Sequence, residues 1–358
     1  MHQVLPIDII GGAYAGRSRN NIQELINMYV CYDTVGGEDQ TELRGTPGLT
    51  EWFDSEVTDE VRGFNIFQGQ LWVVIGDTLY YINGPSSAGG VKTSKGTLGT
   101  SAGRVQIHNN GTDMAVCDGQ NVYSQSGTTL TLQRTASYLA YQDGWFIAIV
   151  PNTASALVTT DPTNWAGAPD IAAEGDPDFL VAAISNYKHV HLMGTKTIEV
   201  QYNTGTAALP FAKISGGLIS TGCIAKDSVV NMNDQIYFLD DDYNVRRISG
   251  LQTEILSTPA IQYQMSQLVD QQEAVAYSYS LEGHYVYVIT FSESGVTYCF
   301  DSTMKLWYKW STGGYRNRHT TNCFIRFAGK NLVGDFTNGK IYEIDPASRT
   351  DDGLSLIH

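Results

Sequence analysis

One short unit recurs along this chain and constrains its fold more than any other feature. A strand leads to a polar turn, a strongly apolar strand, a second turn, and a strand rich in Tyr, Ile or Val. The first copy runs from Val61 to Ile82, with turns at Gln68-Gly-Gln70 and Gly76-Asp-Thr78. Later copies centre on Met114–Tyr123, Asp143–Val150, Tyr187–Val200, Asn233–Ile248, Glu282–Thr290 with Val296–Phe300, and Gly329–Ile344. Anchored at Leu71, Met114, Phe146, Val190, Ile236, Val286 and Leu332, the apolar strands are spaced 32 to 50 residues apart. The mean of about 44 is the length of a four-stranded propeller blade.

The apolar residues in each unit fall at period two, with extra apolar positions where both faces of a sheet are covered. One such sheet cannot bury both faces alone. Sheets stacked radially around an axis bury them in each other and leave only short edges. The expected fold is therefore all-β, a β-propeller of seven blades. Six blades are the alternative, because the short interval from Met114 to Phe146 fits either a trimmed blade or two copies sharing one irregular sheet. A sandwich or barrel also shows strands between regular turns, but lacks a reason for this period.

Around the repeats, residues 1–50 read as an irregular N-terminal arm. Within it Ile22–Val30 forms a short helix or an extended stretch, and Arg44-Gly-Thr-Pro-Gly-Leu49 a turn. Residues 51–350 form the propeller, starting with the strand fragment Glu51-Trp-Phe-Asp54. Residues 351–358 read as the start of a further C-terminal element, with Leu354 to Ile357 beginning a strand. Ser257–Glu273, with Ile261, Met265 and Leu268 near helical spacing, is the one internal stretch that suggests a helix.

Charge narrows the function. With 22 Lys and Arg against 37 Asp and Glu, the formal net charge is −15. Free coating of DNA needs a positive field, so DNA contact is at most local and non-specific. The five cysteines are scattered with no CxxC pair, which suggests reduced thiols buried in strands. The N-terminus shows no basic segment followed by an apolar core, and no run of 18 apolar residues suggests a membrane span.

No catalytic constellation is assembled in the sequence. Asp240-Asp-Asp242 with Asn244 lacks the further oxygens and closing glutamate of a calcium loop and reads as a polar turn. His189 and His191 share one strand face, as two metal ligands would, but no third ligand accompanies them. Phosphate-loop and nucleophile-elbow signatures are absent. No cofactor or metal is therefore expected, and no enzyme is indicated. Trp165, Trp307 and Trp310 read as packing between sheets, with a sugar-stacking surface as the alternative. Arg316, Arg318 and His319 form a basic loop between the last two copies. It reads as solvated, and it is the candidate contact with a phosphate or carboxylate on a partner.

Two regions carry a family resemblance. Asn20-Asn-Ile-Gln-Glu-Leu-Ile-Asn-Met-Tyr29 followed by Leu43-Arg-Gly-Thr-Pro-Gly-Leu49 is one; Gly329 to Asp345 with its acidic Asp-Gly sequel is the other. They resemble the packaged-DNA stabilisation, or tail nozzle (tail accessory), proteins of short-tailed bacteriophages. The resemblance implies a structural protein of the virion tail, made in the host cytoplasm and released by lysis. It implies a ring of propellers below the portal and adaptor that helps retain the genome. Partners would be other copies, the portal or head-to-tail adaptor, and a tail needle or fibre. No catalytic residue is carried over. The resemblance implies that relatives continue past this C-terminus, and residues 351–358 by themselves read as interrupted. The competing functions are a carbohydrate-binding or receptor-binding propeller and a host protein-interaction propeller.

Overall fold

The computed structural model describes residues 24–33, 40–173, 175, 178–314 and 317–356. Six four-stranded antiparallel sheets follow one another along the chain, and a seventh, six-stranded sheet joins its two ends. Their innermost strands are Val61–Phe67, Gln106–Asn109, Tyr138–Gln142, Leu180–Asn186, Val230–Met232, Val275–Leu281 and Thr321–Phe327. Each innermost strand touches the next, and the seventh touches the first, so the ring is closed. This is a seven-bladed β-propeller.

All seven sequence anchors lie in the second strand of their blade. The short interval between Met114 and Phe146 reflects tight turns, not a missing sheet. The second blade has all four strands, Gln106–Asn109, Met114–Cys117, Asn121–Ser126 and Thr129–Thr135, and Tyr138 opens the third blade three residues later. The six-blade alternative is excluded.

The apolar second strands make the core. Buried clusters sit between neighbouring blades all round the ring. Leu71, Val73 and Ile75 meet Leu332 and Ile341 across the first and seventh blades. Trp72 and Val74 meet Ile107 and Val116 on the other face of the first blade. Alternate residues of one strand thus serve two interfaces, which explains the near-continuous apolar runs. Each large side chain so buried contributes roughly 1.5–3 kcal/mol.

The seventh blade is closed by the other end of the chain. Its fourth strand is Gly48–Asp54, paired antiparallel with Lys340–Asp345 around a bulge between Glu51 and Phe53. The stretch read as an irregular arm also holds a two-stranded ladder, Met28–Asp33 with Gln40–Gly45. Upstream of it, Ile26 makes a parallel bridge with Lys309 at the edge of the sixth blade. At the other end, Thr350–Asp351 pairs with Leu354–Ser355 and joins Leu49 in parallel. The fourth strand of the seventh blade therefore lies between the two ends of the described chain. The expected helix is Pro259–Ser266, capped by Thr258 and buried through Ile261 and Met265.

Candidate functional site

The position where propellers commonly act is the axis. Here it is obstructed. Arg104, in the connection from the first blade to the second, extends its guanidinium across the channel. Its Nη1 donates to Asn322 O at 2.5 Å and its Nη2 to Ala276 O at 3.4 Å, on the seventh and sixth blades. Gln106 Nε2 donates to Asp227 Oδ1 at 2.9 Å, tying the second blade to the fifth. Lys226 lies 3.7 Å from the same carboxylate and donates to Ser137 O at 3.4 Å. All these partners sit at or just before the starts of innermost strands, so the ties gather at one end of the channel. What remains is a cavity of about 390 Å³. At about 30 Å³ per water it holds roughly a dozen molecules. A DNA duplex, whose major groove alone is about 12 Å wide, does not pass through it.

Sequence reasoning missed Arg104, Gln106 and Asp227. The one local signal was a cation set between Gly103 and Val105 just before a strand.

Of the basic loop, His319 is not solvated as expected and Arg318 is half-buried. Arg316 lies outside the described residues. Arg318 places its guanidinium 3.7 Å from the Phe336 ring centroid and donates to Ser292 Oγ at 2.8 Å. Burial pulls its pKa down to about 10. His319 is fully buried, stacked on Trp310 with ring centroids 3.8 Å apart. Its Nδ1 meets Thr321 Oγ1 at 2.7 Å, and its Nε2 lies 3.5 Å from Asp351 Oδ2. The C-terminal strand covers it, so in this fold it cannot touch a partner.

The acidic run is a turn. Asp240 is buried, and its Oδ1 accepts from the backbone N–H groups of Asp242 (2.9 Å) and Asn244 (2.7 Å). Asp118 and Asp335 cap the corresponding hairpins of the second and seventh blades in the same way. The three tryptophans are core residues. Trp310 is fully buried, Trp307 donates from Nε1 to Leu256 O, and Trp165 donates to Pro162 O. A sugar-stacking platform built on them is overturned by this burial. The cysteines are buried and form no disulfide among the described residues, and burial pushes Cys117, Cys223 and Cys323 up to about 12, away from reactive thiolate.

Among the described residues no three His, Cys, Asp or Glu side chains are placed to hold a metal ion. His191 is buried and its Nδ1 has no partner. Burial, with a smaller push from His189, lowers it to about 4. The unfolded imidazole titrates near 6.5. As pH falls, the unfolded protein therefore takes the proton first, and stability is lost from about pH 6.5 down to about pH 4. His191→Gln is expected to remove about 3 kcal/mol of the acid destabilisation seen between pH 7 and 4. Urea unfolding at both pH values checks this, and an unchanged pH dependence in the variant rules it out.

A closed ring of seven sheets packed face to face around an obstructed axis defines a scaffold propeller. The family model described as "Bacteriophage P22 Gp10, beta-propeller" matches residues 5–349. The chain belongs to that phage stabilisation family. It is a structural, non-enzymatic protein of the bacteriophage tail, and the sequence resemblance pointed to the same family. No curated protein sequence matches it. Among solved structures it is similar to the WD40 β-propeller domain of Doa1, at 11% identity and TM-score 0.51, covering 83% of this chain and 96% of that one. It is also similar to the extracellular domain of the two component system BT4673 from B. thetaiotaomicron, at 8% identity and TM-score 0.53, covering 83% of this chain and 40% of that one. These likenesses concern the fold alone. No helix among the described residues is long and apolar enough to cross a membrane.

Proposed function

We propose that this protein is one subunit of a ring forming the nozzle of a short phage tail, below the portal and adaptor, where it helps retain packaged DNA. The observation that carries this reading is the obstructed axis. A tail protein that guards a DNA path, but whose own channel is crossed by Arg104, needs a conduit enclosed between copies. Closed rings arise from head-to-tail interfaces between identical subunits. The net charge of −15 suits a wall that DNA slides past without adhering. The adaptor above and a needle or fibre below are the partners proposed, with assembly in the host cytoplasm. In the basic loop, Arg316 and Arg318 are the residues proposed for partner contact.

Negative-stain microscopy of the purified protein mixed with its portal–adaptor complex tests the ring. The expected image is a closed ring with an opening wide enough for a duplex. Lone compact monomers that bind no tail component would count decisively against it.

A further inference from the structure

The axial cavity has the chemistry of a binding site. Arg104 brings a positive charge into it, and both hydrogen-bond partners of its guanidinium are neutral carbonyls. A guanidinium carries five N–H donors, so several stay free for a ligand. The one carboxylate that lines the cavity, Asp227, already accepts from Gln106 Nε2 at 2.9 Å and has Lys226 3.7 Å away, so it is engaged on its own side of the channel. His108, which also lines the cavity, is held neutral near pH 7 because burial lowers it to about 4.

A second, independent feature concerns Gln106. Its side chain is only 8% exposed and its Nε2 is committed to Asp227, yet its Oε1 has no hydrogen-bond partner. A buried carbonyl left unpaired costs about 1–3 kcal/mol, so this oxygen is an acceptor suited to an incoming N–H. Phe64 and Phe324, both half-buried, add aromatic walls, and exposed Asn231 stands at the rim. The volume of about 390 Å³ falls in the range of ligand pockets, about 300–1,000 Å³.

We propose that this cavity is a carboxylate pocket for a peptide segment of a partner protein. The carboxylate lies on the free N–H groups of Arg104, a peptide N–H donates to Gln106 Oε1, and an apolar side chain packs on Phe64 and Phe324. The carboxylate comes either from the partner's C-terminus or from an Asp or Glu side chain; the recognising chemistry is shared. The pocket does not depend on the ring proposed above, and its test needs only the free protein.

Isothermal titration with three probes decides the matter: N-acetyl-Ala-Leu-Phe with a free carboxylate, the same peptide as its amide, and N-acetyl-Leu-Asp-Phe-amide. At least one carboxylate probe is expected to bind about tenfold or more tightly than the neutral amide, the worth of one charge-assisted hydrogen bond. Preference for the first probe identifies a C-terminus as the source; preference for the third identifies a side chain. Arg104→Met is expected to abolish the difference. Because that variant removes a cross-channel tie, Asn231→Trp, which obstructs the rim from an exposed position, is expected to abolish binding in a protein with unchanged circular dichroism. Equal affinity for the amide, no heat from any probe at millimolar concentration, or full binding by folded Asn231→Trp each overturns the proposal.

Discussion

Arg62→Met is expected to destabilise the protein by about 3–5 kcal/mol, the cost of breaking a buried charged network from one side. The Arg62 side chain is fully buried on the first innermost strand. Its Nε donates to Gly103 O at 2.6 Å. Its Nη1 donates to the carbonyls of Gly76 (2.8 Å) and Thr100 (2.7 Å). Its Nη2 donates to Thr100 Oγ1 and Ala102 O, both at 2.8 Å. Glu60, 3.6 Å away, balances the charge. The connection from the first to the second blade is irregular, and Arg62 supplies donors that its carbonyls would otherwise lack. Methionine preserves much of the volume but leaves those acceptors dry. Lysine is expected to restore only part of the loss, because an ammonium lacks the planar fork that reaches both sides of the loop. Urea unfolding followed by tryptophan fluorescence measures it. A loss below about 1 kcal/mol, the worth of an exposed pair, would show that water can replace the guanidinium.

Arg62 also marks the limit of what the sequence makes legible. The blade period is written locally, because each unit repeats the same alternation and the same turn residues. That is why the anchors from Leu71 to Leu332 all fall on second strands. The Asp240 turn and the Thr258–Pro259 helix start are local for the same reason. Arg62 sits between Val61 and Gly63 with nothing nearby to say it is buried, since the groups that accept its hydrogen bonds lie 14 to 41 residues away. His319 read as part of a solvated loop because its cover, Asp351, comes from the other side of a whole blade. Arg104 crosses the channel to Asn322, a contact 218 residues distant. The family-bearing motifs near Met28 and Gly329 were legible, but the axial cavity, lined by other residues, was not. It is made by the convergence of separate blades, and no single window of sequence contains it.

The second large effect belongs to the ring closure. Leu49→Ala combined with Phe53→Ala is expected to abolish the cooperative unfolding transition at 37 °C. Leu49 and Phe53 are buried on the strand Gly48–Asp54, packed with Ile344 on one face and Ile341 on the other. Leu→Ala in a core costs about 2–5 kcal/mol and Phe→Ala about 3–5. Together they approach the whole net stability of a typical domain, about 5–15 kcal/mol. The strand cannot be replaced locally, because its partner Lys340–Asp345 lies nearly the full sequence length away. Such a distant pairing forms late and at high entropic cost, so weakening it acts on the step that closes the ring. An unlatched strand exposes the edge of Lys340–Asp345 to other molecules, and the double variant is expected to aggregate on heating where Leu49→Met does not. Light scattering beside the urea titration separates the two consequences. The same strand lies beside Thr350–Asp351, with the Met28–Gly45 ladder just upstream. Loss of the latch is therefore expected to release both of these flanking segments at once, and a native-like midpoint in the double variant would show that the ring holds without it.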